Sequence, residues 1–163
     1  MIVAEVLDVP GELVFHTLKY SEQPLKIFSP PLEGARLAVC FVKFFSKESG
    51  WEKVAEVIVE GAATLDLAIK EVANALWKKV IAGEMDEGVA IRIISDLLKK
   101  EAMVVVGQDE HLVEAFRVAA RQKVTVYDAL FIALAKSMGA ELVTSDRRQH
   151  EASLREGVRS VLI

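Results

Sequence analysis

V-T-V-Y-D-A-L-F-I-A-L-A-K-S-M-G-A-E-L-V-T-S-D-R-R-Q-H, residues 124 to 150, carries the reading on which the rest depends. Thr125 reads as a helix N-cap, and residues 126 to 138 are almost wholly apolar, which predicts a buried helix. Gly139 follows where a helix commonly ends. Glu141 to Thr144 then reads as a short buried strand that leaves through Ser145-Asp146. One carboxylate, Asp128, falls in the first turn of the helix. A second, Asp146, falls just past the carboxyl end of a strand, where open α/β sheets place their ligands. Two acids converging in apolar surroundings repel each other unless a cation joins them, and a divalent metal is the natural candidate. Each acid also fits a plainer role. Thr125-x-x-Asp128 resembles a capping box, and Asp146 could simply cap a helix beginning at Arg147.

Working outward, strand-like and helix-like stretches alternate. Leu37 to Phe45 is an apolar run too short to assign by period. Ser49-x-x-Glu52 is a capping box before an amphipathic helix from Trp51 to Glu60. Thr64 reads as the cap of a helix from Leu65 to about Ala82, and a further helix spans Asp86 to about Lys100. Met103 to Val106 is β-branched and strand-like, and Asp109 can cap a helix from Glu110 to Arg121. Arg159 to Ile163 closes the chain as a strand. This alternation predicts an α/β domain with a mostly parallel sheet and helices on both faces. Residues 1 to 35 differ in texture: strands at Ile2–Leu7 and Leu13–Leu18 frame a Pro-Gly turn, then three more prolines follow. They read as an N-terminal extension, leaving 36–163 as the domain.

The 163 residues suffice for one domain with a real core, and 52% hydrophobic with 27% charged residues is a globular composition. No apolar run has the length of a membrane span, and the first residues lack the pattern of a signal peptide. A single cysteine, Cys40, excludes an internal disulfide and fits a reducing compartment, so a cytoplasmic location is expected. The net charge of −4 argues against bulk electrostatic binding of nucleic acid, though not against a local basic rim and a metal. His16, His111 and His150 have no metal-ligand spacing, and no glycine-rich phosphate loop is present. Cys40 reads as a core thiol, and Trp51 and Trp77 as core or interface anchors.

Glu71 is a third candidate, mid-helix among alanines and Val72, with Asn74 and Lys78 on the same face. A solvated polar stripe is the alternative for that trio. Asp66, in the first turn, reads as a dipole partner.

Three motifs, E-V-A-N-A-L-W-K (71–78), Y-D-A-L-F-I-A-L-A (127–135) and L-V-T-S-D-R-R (142–148), together resemble PIN-domain nucleases in order and spacing. The closest likeness is to VapC-like toxin ribonucleases, and V-K-F-F-S-K-E (42–48) resembles the segment after that family's first catalytic strand. The resemblance covers about residues 36–163 and implies a PIN-like three-layer α/β/α fold. It implies that Glu71, Asp128 and Asp146 occupy three of the family's four acidic positions, hold Mg²⁺ or Mn²⁺, and serve hydrolysis of RNA by a metal-activated water. It implies that Thr144 orients the carboxylates or a substrate phosphate, that Arg147 and Arg148 meet phosphates at the rim with Asn74 nearby, and that an antitoxin protein and a second copy of the chain are partners. The departure is at the first acid: Leu37 stands where the aspartate belongs, and no acid occurs between Glu33 and Glu48. Asp8 lies too far upstream to replace it. A three-carboxylate enzyme and a catalytically degenerate PIN-like binding or assembly module are therefore both open. A phosphohydrolase on another doubly wound sheet ranks last, because no nucleophilic aspartate follows the first strand.

Overall fold

The computed structural model describes residues 36–46, 49–59, 61–99 and 103–163. The extension at 1–35, with its expected hairpin, lies outside the described residues. The apolar run from Leu37 divides into two elements. Strand β1 is Arg36–Ala38, and after a bend at Val39-Cys40 helix α1 spans Phe41–Ser46. Helix α2 is Trp51–Val59. Strand β2, Ala62–Leu65, runs without a loop into helix α3, Asp66–Ile81, and helix α4 is Glu87–Leu98. Strand β3 is Val104–Val106, followed by a 3-10 turn at Asp109–His111 and helix α5, Leu112–Gln122. Helix α6 is Val126–Met138, strand β4 Glu141–Thr144, helix α7 Arg147–Arg155 and strand β5 Ser160–Leu162.

Several local expectations meet their chemistry. Thr125 Oγ1 accepts from the Asp128 backbone N–H, Asp86 accepts from Val89 N–H, and Gly139 ends α6 at φ 62°. Two do not. Thr64 is not a helix cap: it is fully buried in β2, and its hydroxyl donates to the Ala38 carbonyl at 2.9 Å, tying β2 to the end of β1. Helix α3 instead starts after Leu65, which offers no side-chain cap. Asp109 likewise sits in the 3-10 turn rather than capping α5, whose start has no side-chain cap.

The five strands form one parallel sheet in the order β3-β2-β1-β4-β5. Parallel strands must be covered on both faces, and β2 is buried at all four positions. Right-handed crossovers send α1–α4 to one face and α5–α7 to the other, because the strand order reverses direction after β3. The result is the three-layer α/β/α architecture. The core runs through Leu37, Phe41, Leu65, Leu76, Phe131, Ile132 and Leu142, each 2% exposed or less. Among the described residues no helix is long and apolar enough to cross a membrane.

The reversal lies between β1 and β4, the switch point at which doubly wound sheets open a crevice at their carboxyl edge. Pairing there extends past the strand, with Val39 N–H donating to the Val143 carbonyl at 3.0 Å.

Candidate functional site

Glu71 reaches this edge because α3 begins directly at the carboxyl end of β2, one and a half turns earlier. Asp128 reaches it from the first turn of α6. The two are close enough that the negative charge of Asp128 acts on Glu71. Burial first, and that charge second, hold the Glu71 carboxyl above the usual carboxylate range. Among the described residues neither carboxylate has a cationic partner. Asp128 Oδ2 accepts from the Thr125 hydroxyl at 2.7 Å, so the capping box and the acid pair coexist in one residue.

Asp146 follows β4 and caps α7: its Oδ1 accepts from the backbone N–H groups of Arg148 at 2.7 Å and Gln149 at 3.0 Å. Its Oδ2 has no hydrogen bond among the described residues. As placed, no three Asp, Glu, His or Cys side chains among the described residues gather closely enough to hold a metal ion. The structure thus pairs Glu71 with Asp128 and sets Asp146 on the same edge, committed by one oxygen to its own helix.

Thr144 is 1% exposed, and both directions of its hydroxyl are used: it donates to Gln149 Oε1 at 2.6 Å and accepts from Asp146 N–H at 3.0 Å. It is a support for the turn rather than a surface contact. Arg147 and Arg148 are exposed, and Arg148 Nη2 donates to the Lys123 carbonyl at 3.3 Å. Asn74 is exposed on α3. Leu37 is fully buried in β1, paired in register with Ala63 and Leu142.

Two residues were not singled out from the sequence. Gln149 is buried, and its Nε2 donates to the Asp128 backbone carbonyl at 3.1 Å. Lys43, in α1, donates to the Ile163 carbonyl at 3.4 Å, which puts an ammonium on the same carboxyl edge. A separate cleft of about 350 Å³ opens at the ends of β2 and β3, lined by Asp66 and residues 106–110, and none of the three candidate acids lines it. There Asp66 pairs with Lys70 at 2.7 Å, while its Oδ1 is buried without a partner among the described residues. Cys40 is buried, and burial pushes its thiol up to about 11, which suits an inert core position.

The profile of the PIN domain matches residues 38–154. The chain is 43% identical over 89 residues to Ribonuclease VapC3 of Pyrobaculum aerophilum, spanning 54% of this chain and 68% of that one. It is 39% identical over 88 residues to Exonuclease VapC9 of the same organism, spanning 54% of this chain and 64% of the relative. The crystal structure of PAE2754 from Pyrobaculum aerophilum superposes with a TM-score of 0.57 at 28% identity, over 81% of this chain and 93% of that one.

Proposed function

The chain belongs to the PIN-domain family, and from that premise we propose that it is a VapC-like, metal-dependent ribonuclease. The observation that carries the reading is the juxtaposition of Glu71 and Asp128 at the switch point without a compensating cation among the described residues. Such a pair is unfavourable as two bare carboxylates and favourable once a hard cation is shared, and its all-oxygen donor set suits Mg²⁺ or Mn²⁺. Bound there, the ion would supply Lewis acidity toward a phosphoryl oxygen and lower the pKa of a coordinated water. Glu71 and Asp128 would hold it, and Asp146, whose Oδ1 alone is taken up by α7, would add a third carboxylate.

The remaining residues handle the substrate. Arg147 and Arg148 meet RNA phosphates at the rim, with Arg148 steadied by the Lys123 carbonyl. Asn74, exposed on α3, borders the path. Thr144 acts at one remove by fixing the turn that carries Asp146. The partners we propose are an antitoxin with a basic segment, in keeping with the net charge of −4, and a second copy of the chain. Exposed Trp77 and Ile81 on α3, with Ile91 and Leu98 on α4, offer the apolar surface for that copy. The setting is a reducing cytoplasm, and residues 1–35 are an appendage to a 36–163 domain.

A second reading has its own observation. Leu37 is buried apolar bulk where the family's first acid belongs, and three acids are not yet gathered. This favours a degenerate member that binds without cutting. The deciding experiment is cleavage of labelled single-stranded RNA in Mn²⁺, Mg²⁺ and EDTA, beside Asp128→Asn. Metal-dependent cutting that vanishes in the variant supports the nuclease. A folded protein that cuts in no metal supports the binding module.

A further inference from the structure

Gln149 is 1% exposed although Arg147, Arg148 and Glu151 on the same helix stand in solvent. A buried primary amide needs partners for its donors and its acceptor, and here they are parts of the candidate site. Nε2 donates to the Asp128 carbonyl in the first turn of α6, at 3.1 Å. A carbonyl can only accept, so the nitrogen end of the amide must face Asp128 and the oxygen end must face Thr144. The Thr144 proton therefore points at Gln149, across 2.6 Å, and its lone pairs turn to the Asp146 N–H at 3.0 Å. The backbone N–H of Gln149 closes the ring on Asp146 Oδ1 at 3.0 Å. Each link fixes the sense of the next.

We propose that Gln149 is the positioning residue of the acid site: it locks the start of α6, and with it Asp128, to the turn that carries Asp146, so that cation affinity depends on an amide side chain touching neither carboxylate. This rests on the metal-site reading above. The supporting amide orients ligands in the way outer partners of metal sites do, whose loss commonly lowers affinity about 10- to 100-fold.

The test is calorimetric titration of Mn²⁺ into the full chain, well below its unfolding temperature, with thermal unfolding in EDTA measured alongside. Gln149→Met keeps the length and removes both side-chain links while the backbone N–H to Asp146 stays; Thr144→Val breaks the middle link with little change of shape. Val118→Ala, in the buried face of α5, is a stability control. The expected result is a drop in Mn²⁺ affinity of roughly 10- to 100-fold in both site variants, and wild-type affinity in Val118→Ala despite a lower melting temperature. Wild-type affinity in the site variants overturns the inference and leaves the metal site standing. A wild-type chain that binds no Mn²⁺ overturns the metal site, and this inference with it.

Discussion

Glu71 reports on Asp128 through its proton. Asp128→Asn removes the negative neighbour but not the burial, so the Glu71 carboxyl is expected to fall part of the way back toward its usual range. A carboxyl-resolved NMR titration in EDTA checks this, and an unmoved Glu71 would mean the two acids are not neighbours in solution. Leu37→Asp probes the departure from the family. Placed between Ala63 and Leu142 in β1, the new carboxylate should cost roughly 2–5 kcal/mol in EDTA, through lost apolar contact and an unpaired buried charge. If the position belongs to the metal site, Mn²⁺ should raise the melting temperature of this variant more than that of the wild type. At this scale a charge in apolar company draws attention to Glu71 and Asp128, which the fold sets within electrostatic reach of each other, yet the same texture around Lys43 in V-K-F-F passed unnoticed. Gln149 was not legible, because D-R-R-Q-H has the texture of a solvated helix turn and its burial arises only when α7 meets α6 and the end of β4.

Elements were legible where punctuation is local. Thr125, Gly139 and Asp146 bracket α6, β4 and α7 by backbone chemistry that needs no distant partner. Strand β2 was misread because A-A-T-L is buried on both faces and shows no alternation, and a threonine before an apolar run imitates a cap. The run from Leu37 could not be divided because its bend at Val39-Cys40 is set by pairing with β4 rather than by a glycine or proline. The cap of α6 has a measurable weight. Thr125→Ala should cost about 1 kcal/mol by denaturant unfolding, and should also weaken Mn²⁺ binding, since the same hydroxyl donates to Asp128 Oδ2. Loss of stability with unchanged metal affinity would separate the cap from the site.

Across the molecule, two glutamates set opposing pH slopes. The Arg121 guanidinium, with help from Gln122 and Lys136, holds Glu156 down at about 2 and joins α5, α6 and α7. The unfolded chain takes up that proton first, so this contribution is full above the ordinary glutamate range and is lost as pH falls from about 4.5 to about 2. Glu71 does the reverse: the folded state holds its proton to higher pH, so stability falls as pH rises through its raised pKa. Metal-free unfolding free energy should therefore peak on the acid side of neutrality. Glu156→Gln should shrink the acid limb, by on the order of 2 kcal/mol, and urea titrations across pH decide it. The same long-range pairing that hid β1 from local reading has a consequence in time. Cys40 and Val143, in contact beside the switch point, are 103 residues apart in the chain. Closing so long a loop comes late in folding, after the nearer units have formed. A chain growing on the ribosome at about 5–20 residues per second is thus expected to carry Glu71 and Asp128 as separate side chains until β4 has emerged and paired with β1. The closeness of the two acids is a late product of folding, not something either stretch of chain brings with it.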